Sequence, residues 1–399
     1  MSETLYYPTA TTLLNSNTTV TGNATVLLDV TDQGAYLVPS TSNAAVIQQW
    51  MQRTINNYKN NFYSNAKTYS TVSATNCQYI GGTVIPDGRV VMGPWSTANI
   101  GIFTPSTNSY TTVAFTSGST GSTIDQFYGS VLAPDGRVIF VPSTASCIGI
   151  YNPANNTWST TGALGATTHK FSCGAVGPDG NVWFFPDNVT YYGYFNPSTN
   201  IFTSITPTGS TLPAGSGLIG GVITPSGLIV QPVGGYPSTT YMGVYNIKTN
   251  VFTTYPTGLS VFSGIFTGAV NLPDGRVACI PRGLSPANLG LFNPNTGAFS
   301  SITGPTSTTQ NYIQGCLLPD GRVFCAPANS TSALIFDPVA GTYTTLTGFP
   351  GGNAYNGATL LPDGRVLLVP IGVNTVGLIS GLNRPVPREF CLSPFFNHS

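Results

Sequence analysis

Short apolar runs recur along the chain, each closed by a proline and each opened by the same tight turn. They read VVMGP from Val90, VIFVP from Val138, VWFFP from Val182, VACIP from Val277, VFCAP from Val323 and VLLVP from Val366. A Pro-Asp-Gly triplet precedes every one, at Pro86, Pro134, Pro178, Pro273, Pro319 and Pro362, and a weaker Pro-Ser-Gly copy at Pro225 fills the one gap. Proline fits the second position of a type I turn because its φ is already locked there, and glycine supplies the positive φ that follows. Each triplet therefore predicts a hairpin. About 20 residues later a second turn recurs, in FTPSTNSY (103–110), YNPANNTW (151–158), FNPSTNIF (195–202), YNIKTNVF (245–252), FNPNTGAF (292–299) and FDPVAGTY (336–343). There an aromatic residue leads into a Pro/Asn/Gly corner, and another aromatic opens the next strand.

Each repeat thus reads as strand a, the Pro-Asp-Gly turn, strand b, a loop, strand c, the second turn and strand d. The seven copies start 43 to 48 residues apart with no helical pattern between them. Self-similarity at this period in β-rich sequence marks a ring of four-stranded blades around an axis. The expected fold class is all-β, a seven-bladed β-propeller of four-stranded blades. The seventh repeat has strands a to c over about 357–380 but no second turn, so its strand d is missing. Upstream of the first repeat, FYSNAKTYSTV (62–72) keeps the Phe-to-Tyr spacing of FDPVAGTYTTL (336–346). Residues 66–75 are therefore expected to supply the outer strand of blade seven, since an open ring would expose unpaired blade faces.

On this reading the chain divides into an N-terminal extension (1–62), the propeller (63–380) and a C-terminal tail (381–399). In the extension, ATVLLDV (24–30) and AYLVP (35–39) read as short strands. Ile47, Met51, Ile55, Tyr58 and Phe62 form one stripe at steps of three and four, which predicts a helix over 44–62. That helix either packs on the flank of the ring or docks the chain to a larger assembly. The tail is broken by prolines and carries Phe395 and Phe396, a docking peptide or a loose end.

Charge narrows the partners. The chain of 399 residues holds 13 basic and 13 acidic side chains, only 7% of the sequence, with a net charge of zero. Nothing in that balance attracts nucleic acid or an anionic membrane. No apolar run reaches the length of a membrane span, and the N-terminus has neither the basic start nor the apolar core of a secretory signal. The seven cysteines (77, 147, 173, 279, 316, 325 and 391) are odd in number and fall mostly inside predicted strands. They read as small buried hydrophobes made in a reducing cytoplasm, not as a disulfide framework. No Cys/His cluster is visible, so no metal or cofactor is expected.

The LPDGRV turn, followed by an aromatic-Asn/Asp-Pro turn and another aromatic, resembles the kelch-type propeller repeat over about residues 62–380. The match lies at the two turns. The Gly-Gly pair that ends strand b in kelch repeats is replaced by a proline in every copy: Pro94, Pro142, Pro186, Pro232, Pro281, Pro327 and Pro370. The kelch family spans enzymes, adaptors and structural proteins, so the resemblance implies a fold and leaves the activity open. In overall style, with low charge, Thr/Asn/Gly-rich repeats and short extensions, the chain also resembles propeller-bearing structural and attachment proteins of phage and large DNA virus particles.

The inventory of catalytic groups is sparse. Asp87, Asp135, Asp179, Asp274, Asp320 and Asp363 form turns, Asp337 occupies the second corner, and Glu3, Asp29, Asp32 and Glu389 lie in the extensions. Only Asp125 and Asp187 are free in the ring, whereas sugar hydrolysis wants two carboxylates within several ångströms. His169 is the one histidine in the ring, with His398 near the terminus, too few for the copper site of a galactose-oxidase-like kelch propeller. Arg89, Arg137, Arg276, Arg322 and Arg365 form either a basic ring or, since each stands two residues after its own aspartate, local pairs across neighbouring turns; the second is expected.

The a–b and c–d turns share one face of the ring and are uniform, while the b–c and d–a loops share the other and vary, which places recognition on the variable face. At the start of strand a stand Tyr79, Phe127 with Tyr128, Phe171, Phe266, Tyr312 and Tyr355, preceded in several blades by Gln78, Gln126, Lys170 and Asn311. Aromatics interleaved with amides suit stacking and hydrogen bonding to a glycan, or else the rings wedge between blades as core. The candidate ligand-binding set is Gln78, Tyr79, Gln126, Phe127, Tyr128, Phe171, Asn311, Tyr312 and Tyr355, with Tyr191, Tyr192, Tyr236 and Tyr241 on nearby loops. The expected function is a non-enzymatic virion structural or host-attachment propeller that binds a surface glycan and is held to other particle proteins through 1–62 and the tail. The alternatives are an intracellular kelch-like adaptor and a carbohydrate-active enzyme.

Overall fold

The computed structural model describes residues 26–29, 35–38, 67–115, 124–165, 167–213, 218–232, 241–259, 266–282, 288–305 and 311–382. The helix expected over 44–62 and the tail beyond 382 lie outside the described residues, as does Tyr236. The two expected N-terminal strands form an antiparallel pair, Val26–Asp29 with Ala35–Val38.

Seven antiparallel blades carry the rest. In blade one, Tyr79–Val84, Val90–Pro94, Asn99–Thr104 and Ser109–Ala114 follow one another across the sheet as strands a to d. The strand a segments Phe127–Leu132, Phe171–Val176, Val222–Ile223, Phe266–Asn271, Tyr312–Leu317 and Tyr355–Leu360 open the other six. Each packs against strand a of the next blade, and the seventh packs against the first, so these strands encircle the axis. Blade four adds a short segment, Thr208–Gly209, parallel to its outer strand Val251–Pro256. Blade seven takes its outer strand from the other end of the chain: Thr68–Ser73 pairs antiparallel with Thr375–Ser380 from Thr68↔Ser380 to Ser73↔Thr375. The Pro-Asp-Gly turns form as their chemistry dictates. Gly88, Gly136, Gly180, Gly275, Gly321 and Gly364 all sit at φ between 78° and 88°, and the Gly88 N–H donates to Ile85 O at 2.8 Å.

The apolar positions collect into seven cores, one between each pair of adjacent blades. Tyr79, Met92 and Phe103 of blade one meet Leu367, Val369 and Leu378 of blade seven in the core that closes the ring. All six cysteines among the described residues are free and buried in or beside these layers. A chain held by nearest-neighbour layers has no single centre, so its strength depends on every seam being made.

The repeated arginines are stitches across those seams. Each pairs with the aspartate of its own turn and reaches a backbone carbonyl in the next blade's c–d turn or, for Arg322, at the end of blade seven. Arg137 Nη2 donates to Pro197 O at 2.6 Å, Arg276 Nη2 to Pro338 O at 3.1 Å and Arg365 Nη2 to Pro105 O at 2.9 Å, while Arg322 Nη2 donates to Leu382 O. The uniform face is thus a row of structural clamps, with Asn181 and Leu228 at the arginine position in blades three and four. Burial sets their value: the Arg322–Asp320 pair is 5% and 7% exposed, the Arg276–Asp274 pair 30% and 44%. Arg322→Ala strands a buried carboxylate and is expected to cost about 3 kcal/mol, whereas Arg276→Ala is expected to cost under about 1 kcal/mol. Urea midpoints of the two variants measure the difference, and equal shifts would contradict the clamp reading.

Candidate functional site

The rings that open strand a are not on the surface. Tyr79, Phe127, Phe171 and Tyr355 have no exposed area and Tyr312 keeps 2%. Each belongs to one of the seven interblade cores, which corrects their assignment as ligand-stacking residues. For Tyr79, Phe127, Phe171 and Tyr355 the cause is a glycine on strand c, whereas blade six carries Leu334 there and buries Tyr312 without such a slot. A methyl group added at Gly101 would lie 2.9 Å from the Tyr79 ring, at Gly149 2.9 Å from Phe127, and at Gly377 3.1 Å from Tyr355. The missing side chain leaves a slot, and the ring fills it.

The polar residues ahead of strand a divide. Gln78 is exposed, and its carbonyl accepts from Trp95 N at 2.8 Å. Gln126 and Asn311 are buried and corrected likewise: Gln126 Nε2 donates to Thr97 O at 3.1 Å, and the Asn311 carbonyl accepts from Ala328 N at 2.7 Å. Lys170 is fully buried and donates to Thr167 O at 2.6 Å and Ser143 O at 3.2 Å, tying the d–a loop of blade three to blade two. The Gln126 and Lys170 side chains thus fasten loops between blades, while the backbone carbonyls of Gln78 and Asn311 hold the residue that follows strand b.

Tyr128 differs from the other eight: it is half-buried and faces a polar group drawn from several blades. It is the second residue of strand a in blade two, and Asn356 holds that position in blade seven. Asp187, Arg282 and Trp95 each follow the proline that closes strand b in blades three, five and one. Because Pro94 pairs with Tyr79, Pro186 with Phe171 and Pro281 with Phe266, the residue after each proline stands at the end of the ring where strand a begins. That end carries the variable loops. The Trp95 and Tyr128 rings meet edge to face, 5.3 Å between centroids at 90°.

The electrostatics show how closely these groups approach. Burial pushes the Asp187 carboxyl up to about 7, against the opposing pull of the Arg282 guanidinium. Burial likewise pushes the Tyr128 phenol up to about 12; Arg282 lowers it, Asp187 raises it, and a hydrogen bond from the Asn356 amide favours its ionised form. Asp187 Oδ1, Asn356 Oδ1 and both polar atoms of the Gln314 side chain are buried without a hydrogen-bond partner. Native interiors seldom leave such groups unmet, and a cluster of them marks a place built for something else to complete. The cluster offers hydrogen bonds of both senses, one cation, one carboxyl that titrates near neutrality and two aromatic faces. Among the described residues no three His, Cys, Asp or Glu side chains gather as a metal site, and no helix is long and apolar enough to cross a membrane.

Asp187 was visible in the sequence as an unassigned carboxylate. Trp95 and Arg282 were not singled out, although their position immediately after the strand b proline is the signal that finds them.

No protein-family model matches the chain, and no curated protein matches it in sequence. Solved structures do. Virginiamycin B lyase from Staphylococcus aureus is similar with a TM-score of 0.62 at 12% identity, over 79% of this chain and 99% of that one. Kuenenia stuttgartiensis hydrazine synthase gives a TM-score of 0.60 at 14% identity, over 77% and 97% of the two chains. The extracellular domain of a two-component system protein from B. thetaiotaomicron gives 0.60 at 11% identity, over 79% of this chain and 40% of that one. At these identities the likeness is one of fold, and the chain is a seven-bladed β-propeller.

Proposed function

We propose that the chain is a non-enzymatic attachment propeller that recognises a neutral glycan at the axial mouth of its variable face. The observation that carries this reading is the convergence of Trp95, Tyr128, Asp187, Arg282 and Asn356, from five different blades, at one end of the ring. Sugar recognition needs an aromatic face for the apolar side of a pyranose and a mixed set of planar polar groups for its hydroxyls, and this cluster supplies both. A chain with almost no net charge or charged surface is suited to a ligand that has none. The ring itself is complete between residues 68 and 380, so 1–66 and 383–399 are not needed to finish any blade. Those segments are left for holding the propeller to a larger particle, with the variable face outward.

Full-length protein on an array of neutral oligosaccharides is expected to bind a defined subset, and Trp95→Ala to weaken that binding about tenfold or more. Absence of binding to every neutral glycan would overturn the recognition reading. Conversion of a bound sugar would overturn the non-enzymatic part and assign Asp187 to acid–base chemistry. Co-sedimentation of the full-length chain with a particle fraction of its source tests the attachment, and recovery solely as free monomer would count against it.

A further inference from the structure

The N-terminal hairpin stands outside the seven blades as a separate two-stranded sheet, with Val26 paired to Val38, Leu27 to Leu37, Leu28 to Tyr36 and Asp29 to Ala35. Apart from Asp29, every residue of its two strands is apolar. Residues along a strand alternate between the two faces of a sheet, so this register puts Val26, Leu28, Tyr36 and Val38 on one face and Leu27, Leu37 and Ala35 on the other. Neither is the polar face that a surface hairpin keeps toward water. Two strands alone are marginal in water, and among the described residues no third strand joins either edge. The hairpin therefore calls for a cover on both faces.

The ring does not supply that cover. Each of its seven outer strands follows its aromatic residue with two consecutive Ser or Thr residues, from Ser70–Thr71 in blade seven to Thr344–Thr345 in blade six, so the outer wall is a belt of hydroxyls. Among the described residues the exposed large apolar side chains are Ile124, Ile201, Val251 and Val339, in four different segments. Residues placed singly in this way are ordinary surface and no seat for an apolar sheet. The two arms of the chain also leave the ring together. Strand c of each blade runs toward the uniform face, and in blade seven it ends at Ser380, the partner of Thr68, while Arg322 of the neighbouring a–b turn donates to Leu382 O just beyond. Residues 1–66 and 383–399 thus start side by side on the uniform face, opposite the axial cluster.

We propose that this hairpin is an assembly element, and that its occupant is the same hairpin of a second copy of this chain. The inference specifies what the N-terminal arm holds and does not depend on the glycan reading. A sheet with open edges and two apolar faces is complementary to itself: edge pairs with edge through main-chain hydrogen bonds, and face packs on face. The chain has 13 basic and 13 acidic residues and no net charge, so identical copies approach without repulsion. Residues 39–66 reach roughly 40 Å if helical and roughly 95 Å if extended, in either case enough for hairpins rooted under neighbouring rings to meet. Rings joined in this way hold their uniform faces inward and their variable faces outward, and recognition sites that are weak singly act together.

Light scattering after size exclusion measures the mass of the full chain, of the chain lacking 1–66, which keeps every blade, and of a chain lacking only 24–39. The full chain is expected at two or more times 41.7 kDa and both deletions at the mass of a monomer. Leu28→Asp and Leu37→Asp, one on each face, are expected to weaken self-association about tenfold or more, while Asp32→Asn between the two strands leaves it intact. These residues lie outside the blades, so both variants are expected to melt with the chain lacking 1–66, the reference for an intact ring. A full chain that stays monomeric at micromolar concentration would overturn the proposal. If that monomer still co-sediments with a particle fraction, the cover is a particle protein and the attachment reading stands. Assembly kept without 24–39 but lost without 1–66 would place the contact elsewhere in the arm, and assembly kept without 1–66 would place it on the ring; either overturns the role of the hairpin.

Discussion

A chain lacking residues 1–73 is expected to unfold at a far lower urea concentration or temperature than one lacking 1–66. Both deletions remove the N-terminal extension, but only the longer one removes Thr68–Ser73, the outer strand of blade seven. That strand is bound along its full length to Thr375–Ser380. Its side chains enter two cores: Val72 packs on the layer between blades seven and one, and Tyr69 on the layer between six and seven. The Tyr69 ring also packs against Phe349, tilted by 53° with 4.6 Å between centroids, and its hydroxyl bonds that of Tyr355 at 2.5 Å. Losing several net hydrogen bonds of about 1 kcal/mol each and two half-buried apolar side chains of about 1–2 kcal/mol each adds up to about 5 kcal/mol or more. That equals the whole stability of many domains. The shorter chain would also present the bare edge of Thr375–Ser380, so self-association is expected alongside destabilisation. Equal midpoints for the two deletions would show that the ring does not depend on this strand.

What the sequence disclosed, and what it hid, follows from the range of each interaction. The Pro-Asp-Gly turns are local: locked proline φ, left-handed glycine and an aspartate that accepts from the residue two ahead, as Asp87 Oδ1 does from Arg89 N at 3.0 Å. Six copies of such a device, with a Pro-Ser-Gly seventh at Pro225, are legible without knowing what surrounds them, and they determine the ring. The closing strand was legible for a similar reason, through a spacing shared with the outer strand of blade six.

The rings at the start of strand a were misplaced because their burial is decided elsewhere in the blade. Tyr79 is buried by the slot at Gly101, which is 22 positions further on and pairs with strand b, not with strand a. The glycine recurs at Gly149, Gly193, Gly243, Gly290 and Gly377, so the pairing of large and small positions was written in the repeat. Reading it requires knowing that the ring on strand a reaches across strand b to strand c of its own sheet. Lys170 and Gln126 were misread in the same way, as their carbonyl partners belong to the preceding blade. The axial cluster escaped for the opposite reason. Repeats draw attention to what recurs, whereas Asp187, Arg282 and Asn356 are departures in single blades, and they form a candidate site only when the ring brings blades three, five and seven to one axis.

Stability is expected to fall as pH rises from about 4 to 7, and Asp187→Asn to abolish the part of that fall which this carboxyl causes. In the folded chain its pKa stands at about 7, raised chiefly by burial, against an ordinary value near 4 in an unfolded chain. Below pH ~4 the group is protonated in both states and contributes no penalty. Between pH ~4 and ~7 the unfolded chain releases the proton while the folded chain retains it, so rising pH favours unfolding. Above pH ~7 the folded group ionises too, and the loss levels off. The gap between the folded and unfolded pKa corresponds to about 4 kcal/mol at most. Arg322–Asp320 and the other turn pairs are common to both proteins, so the difference between wild type and Asp187→Asn isolates one group. The variant is expected to match the wild type at pH 4 and to exceed it by up to about 3–4 kcal/mol at pH 8, read from urea midpoints. A difference that does not change with pH would mean that Asp187 is solvated or firmly paired.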